Sequence, residues 1–168
     1  MSLYQILFHA PGRIDQKQFW RGIAAFAVFY IVQVLIMRVV GTSLPGFFLA
    51  LTFLCLNLYM LYCLFGKRLH DTGRSVALFF GMLAALIILA IILQLQSGGL
   101  EYFDTIMTNP DRQEDAAWMR EQHVIYQERL AANMPLVRWL LWLPLALLTL
   151  FAAIKKGDAG ENRYGMPP

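Results

Sequence analysis

The sequence is poor in charge, poor in cysteine and short of any leader-like start. Charged residues make up 15% of the 168 and hydrophobic residues 58%, whereas a soluble domain carries roughly 25% and 45–50%. That deficit leaves little for a separate soluble domain and gives apolar length for several membrane spans. The two cysteines, Cys55 and Cys63, lie in one apolar run. They read as small buried apolar side chains rather than as a disulfide or a metal site. No cleavable signal peptide is expected, because the first long apolar run begins only near Gly22 and lacks a small-residue cleavage site after it. There is no glycine-rich phosphate loop, no serine or cysteine nucleophile beside a base and no metal-ligand spacing. His123 has no second ligand one helical turn away. No catalytic, cofactor-binding or metal residues are therefore assigned, and an enzyme is not expected.

What is present is four apolar runs, Gly22–Met37, Leu44–Phe65, Val76–Leu95 and Pro135–Ile154. A helix needs about 20 apolar residues to cross a hydrocarbon core of ~30 Å. The first run is short, but Asp15 with Gln18 reads as an N-cap and its N3 partner, and Ile14 with Phe19 as a hydrophobic staple. The expected fold is an all-α membrane protein, a four-helix transmembrane bundle in one domain. Its spans fall at about 16–40, 44–70, 76–96 and 135–155, with a tail at 157–168.

The loop at 96–134 is the only sizeable polar piece. Asn109-Pro110 reads as an N-cap with proline at N1. Met119, His123, Tyr126 and Leu130 then follow at helical spacing, widened by Trp118 and Ile125. This predicts an amphipathic outer-loop helix from Asn109 to about Ala132.

The basic residues are distributed unevenly. Arg13, Lys17, Arg21, Lys67, Arg68, Arg74, Lys155, Lys156 and Arg163 fall on one side of the expected spans, and five arginines on the other. The net charge of +3 thus reflects membrane orientation, with no nucleic-acid partner implied. The positive-inside rule places both termini in the cytoplasm.

Within the spans, polar residues are few: Gln33, Thr52, Asn57 and Thr149, with Arg38 and Arg138 near the outer ends. Their scarcity argues against a proton relay or a charged filter. Ala77, Gly81 and Ala85 form a small-residue stripe suited to close helix packing. The polar information collects in three segments assigned to the cytoplasmic face. These are Gly12-Arg13 with Phe19-Trp20, the hairpin from Lys67 to Ser75, and the tail from Gly157 to Gly165. In the hairpin, Gly73 suits the left-handed residue that ends a helix, and Ser75 suits a cap for the next. From these segments Arg13, Arg68, His70, Asp71, Arg74, Asn162 and Tyr164 form a candidate cluster, expected to fold into one hydrogen-bonded cap.

The three segments resemble the domain-of-unknown-function family 805 of small bacterial inner-membrane proteins. The resemblance rests on Gly12-Arg13 with Phe19-Trp20, on Arg68-Leu69-His70-Asp71-Thr72-Gly73-Arg74-Ser75, and on Gly160-Glu161-Asn162-Arg163-Tyr164-Gly165. The chain departs from the family pattern in having Val76-Ala77 after Ser75, where Gly-Trp is frequent. The resemblance implies a four-helix protein of the bacterial inner membrane and carries no established activity. Four functions compete. The first is a non-catalytic scaffold, regulator or accessory subunit that binds a protein partner. The second binds anionic lipid or a phosphate-bearing ligand through Arg13, Arg68, Arg74 and Arg163. The third is a small-solute channel or carrier. The last is an enzyme using His70 and Asp71, which is disfavoured because adjacent helical residues point about 100° apart.

Overall fold

The computed structural model describes residues 1–168. It is 79% helical, with no strands, and four of its helices are long and apolar enough to cross a membrane. The chain divides into two compact units, Met1–Phe80 with Leu148–Pro168, and Gly81–Leu147.

The first unit is built on three helices whose ends the sequence specifies locally. Helix α1 (Leu3–Phe8) is closed by a capping box between Ser2 and Gln5. Helix α2 (Gln16–Val40) starts at the expected box: the Gln18 amide donates to Asp15 Oδ1 at 2.7 Å, and the Asp15 amide to Gln18 Oε1 at 3.2 Å. Ile14 and Phe19 are both fully buried beside it. Helix α3 (Leu44–Asp71) is capped by Ser43 and carries a proline in its first turn. It ends in a Schellman motif: Gly73, at φ +70°, donates to the His70 carbonyl, and Arg74 to that of Leu69. The Ser75 hydroxyl then accepts from the Ala77 amide, as expected of a cap. Gly22 is buried where α1, α2 and α3 meet, and a methyl group there would run into Leu64 and Ile6. Helix α2 exposes Val28, Ile31, Leu35 and Val39, one helical face. Water would penalise such an apolar face, whereas lipid solvates it.

The second unit departs from the expected boundaries. Helix α4 (Ala77–Gln94) is joined through a kink at Leu95–Gly99, where Ser97 and Gly98 leave helical geometry, to α5 (Leu100–Thr108). The kink is set by Gly98 at φ +115°, where a side chain would also crowd Arg129. Asn109 caps no new α-helix. Its side chain donates back to the Thr105 carbonyl at 2.8 Å, closing α5, while Pro110 opens a short 3₁₀ turn. Helix α6 starts six residues later, at Ala116, with Asp115 Oδ1 accepting from the amides of Ala117 and Trp118. It continues unbroken to Ile154. The outer helix and the last span are thus one element. Pro135, where the apolar run predicts the start of a span, sits inside it, since a proline in a long apolar helix need not end it.

Along α6, Trp118 is buried and Gln122 and Tyr126 are half-buried, whereas Ile125 is exposed and His123, also exposed, lies edge-on to the Tyr102 ring of α5 at 6.3 Å between centres. Tyr102 meets Tyr126 at 5.2 Å between ring centres, Gln94 donates to the Tyr126 hydroxyl, and Arg129 pairs with Glu101. The small-residue stripe makes no close packing. Ala77, Gly81 and Ala85 are exposed, and a methyl group at Gly81 would meet nothing within 4 Å.

Candidate functional site

The site lies wholly in the first unit, where the last turn of α3 meets the segment before α2, the end of α6 and the tail. Helix geometry fixes what α3 can present. Arg68 and Asp71, three residues apart, share one face. Lys67 lies about 100° away from Arg68 and serves a different neighbour.

Asp71 is the centre. Its Oδ1 accepts from Arg13 Nε at 3.2 Å and Nη2 at 3.1 Å, and its Oδ2 from Arg68 Nη1 at 2.6 Å. All three side chains are buried, at 4% exposure or less. Burial would be costly for unpaired charges, and here every guanidinium nitrogen of Arg13 and Arg68 donates to an acceptor. Beyond the carboxylate, Arg13 donates to the carbonyls of Gly160 (2.8 Å), Gly165 (2.9 Å) and Asp158 (2.5 Å). With the two bonds to Asp71, all five of its donors are used. Arg68 reaches Ala152 at 2.8 Å and Lys155 at 2.5 Å, carbonyls at the end of α6, and Ile14 at 3.5 Å. It thereby partners carbonyls that the end of a helix leaves without amides.

The tail is threaded by its glycines and held by its polar side chains. A methyl group at Gly157 would collide with the Asp71 carboxylate, so only glycine lets the chain pass there. The next amide, that of Asp158, donates to the Asp71 carbonyl at 2.7 Å. Asn162 donates to the His70 carbonyl at 3.0 Å and to Asp158 Oδ2 at 2.8 Å, and its own Oδ1 accepts from the Tyr164 amide. The Tyr164 ring lies flat on the His70 imidazole, 3.9 Å between centres and 10° between planes, and the Arg163 guanidinium is also over that ring.

Six of the seven candidate residues therefore come together: Arg13, Arg68, His70, Asp71, Asn162 and Tyr164. Arg74 does not. It follows the left-handed Gly73, and its side chain is exposed and makes no hydrogen bond or ion pair. His70 and Asp71 face different surroundings, the first an aromatic ring and the second two guanidinium groups.

The sequence reading missed three participants. Lys67, part of the hairpin segment but not of the candidate cluster, is fully buried and donates to the carbonyls of Gln5 and His9, stapling the end of α1 to α3. Tyr59 adds a bond to the Phe8 carbonyl on the same helix. Gln16 holds the Ala153 carbonyl at 2.6 Å. Their partners are main-chain carbonyls, which carry no side-chain signature. The one available signal was the position of Lys67, a turn ahead of Asp71 on an otherwise apolar helix. An open cleft of about 290 Å³ borders the cap, reached by Asp15, Arg68, Asp71 and Lys156.

Four apolar helices and a cap closed by a buried Arg–Asp–Arg cluster define a small helical membrane protein whose charged residues at one end build structure. The chain belongs to the family described as "Protein of unknown function (DUF805)", whose model matches residues 7–166. The match takes in all three segments of the cap. No curated protein and no solved structure matches the chain.

Proposed function

We propose that the protein is a non-catalytic membrane module, a scaffold, regulator or accessory subunit, that meets a protein partner through the outer surface of its cap. One observation carries this reading: Arg13, Arg68 and Asp71 are committed to one another and to the chain's own carbonyls. The groups best suited to bind a phosphate or to move a proton are engaged in holding three segments together. The separation of the His70 ring from the Asp71 carboxylate supports a role without acid–base chemistry. What the cap offers outward is its rim, on which Arg74, Lys156, Glu161 and Arg163 are exposed.

The same rim supports a second reading, binding of anionic lipid. Lys17, Arg21, Arg74, Lys155, Lys156 and Arg163 are exposed and none is in an ion pair. Such residues at a membrane surface attract anionic headgroups at about 1 kcal/mol each. Native mass spectrometry of gently extracted protein separates the two. A partner chain retained by the wild type and lost from Arg74→Glu/Arg163→Glu, with melting unchanged, supports the first reading. Retention of anionic lipid alone, lost from the same variant, supports the second. Retention unchanged by the substitutions sinks both.

The proposed setting is the bacterial inner membrane with the cap in the cytoplasm, which follows from the basic residues at that end. Reporter fusions after Trp20 and after Pro168 are expected to report cytoplasm, and one near Arg112 the outer compartment. A fusion after Pro168 that reports the outer compartment refutes this orientation.

A further inference from the structure

At the end of the first unit remote from the cap, α2 and α3 enclose an open groove of about 440 Å³, within the ~300–1,000 Å³ of small-molecule sites. Val34, Met37, Phe53 and Leu54 form its apolar walls, and Gln33 and Asn57 face into it. These two amides are paired reciprocally, Gln33 Nε2 to Asn57 Oδ1 at 3.1 Å and Asn57 Nδ2 to Gln33 Oε1 at 2.8 Å. An amide nitrogen carries two hydrogens, so the pair leaves one on each for an incoming oxygen.

Arg38, in the last turn of α2, lines the same groove. It is exposed and forms no ion pair or hydrogen bond. No acid of its unit can reach it: Asp15, Asp71, Asp158 and Glu161 all belong to the cap end. Along α2 alone, Arg38 lies ~33 Å from the helix start beside Asp15. A fixed cation at the rim of an apolar groove in a membrane helix calls for an anion that brings its own apolar tail.

We propose that this groove binds one anionic phospholipid. The phosphate pairs with the Arg38 guanidinium, for which bidentate contact suits phosphate oxygens. An acyl chain lies along Val34, Met37, Phe53 and Leu54. Gln33 precedes Arg38 by five residues, ~7.5 Å along the helix, so the spare amide hydrogens are placed to meet an ester carbonyl below the headgroup.

The test uses full-length protein in detergent and phosphatidylglycerol with a photoreactive group on its acyl chain. Labelling is expected within residues 30–57. Arg38→Gln is expected to weaken it about tenfold without changing the melting temperature, since Arg38 has no partner in the protein. Arg38→Lys is expected to restore part of it. Ala50→Trp, which fills the groove, is expected to abolish it. Several outcomes overturn the proposal: labelling indifferent to Arg38→Gln, equal labelling by phosphatidylcholine, or full competition by free glycerol phosphate, which has no tail. Loss of labelling only on substituting Lys155 and Lys156, or cross-links joining two copies through residues 30–57 in place of lipid, does the same.

Discussion

Asp71→Ala is expected to lower the free energy of unfolding in mixed micelles by about 3–5 kcal/mol, the usual cost of removing one partner from a buried ion pair. The carboxylate is the only acid that touches Arg13 and Arg68, which are 4% and 1% exposed. Without it, two guanidinium groups face each other with carbonyl dipoles as their remaining partners. The site leaves little room for near neighbours. Glutamate adds a methylene where even a methyl group on Gly157 would strike the carboxylate. Asparagine turns a donor toward a guanidinium, which has donors only. Both are therefore expected to destabilise. Arg74→Ala is the control and is expected to change stability by less than about 0.5 kcal/mol, as an exposed side chain should. An Asp71→Ala protein as stable as the wild type would refute the structural role of the cluster.

The fold was legible wherever a helix end is written in side chains. Asp15 with Gln18, and Gly73, each serve groups within a few residues, so the start of α2 and the end of α3 follow from local chemistry, whereas the Ser43 cap of α3 emerged only in the structure. The region after Gln94 was not legible for the complementary reason. Asn109 and Pro110 can close a helix or open one, and which they do depends on whether α5 exists. The hydrophobic pattern there left that open. Pro135 misled in the same way, since a proline marks a boundary in water but is tolerated inside a long apolar helix.

The cap was legible in its residue types and less so in its membership. Arg68 and Asp71 share a helical face and announce one another. Arg74 looked equivalent by composition, but the turn at Gly73 takes it away from the cluster. The tail is recognised mainly through the carbonyls of Asp158, Gly160 and Gly165. A carbonyl has no sequence signature, and only the glycines that let the chain approach Arg13 hinted at them. A buried ion cluster is seldom the cheapest way to gain stability. Here it fixes which segments meet, since Arg13, the end of α3, the end of α6 and the tail supply the complementary groups.

Arg68→Ala is expected to cost about 3–5 kcal/mol as well, and Arg68→Lys about 2–3 kcal/mol, because a lysine ammonium cannot span the same acceptors. The planar fork of Arg68 serves four of them at once: Asp71 Oδ2 and the carbonyls of Ala152, Lys155 and Ile14. An ammonium has three donors at one point. Placed at Asp71 it deserts the end of α6, and placed there it leaves the carboxylate to Arg13 alone. The double variant Asp71→Ala/Arg68→Ala distinguishes a charge cluster from simple packing. If charge balance is what Asp71 supplies, removing it strands two cations, and removing Arg68 as well leaves one. The double variant should then cost less than the sum of the singles by about 0.5–3 kcal/mol, the range seen for residues in direct contact. Strict additivity would mean that each side chain acts through its own packing, and that the short Arg68–Asp71 contact contributes little to holding α3 against the end of α6.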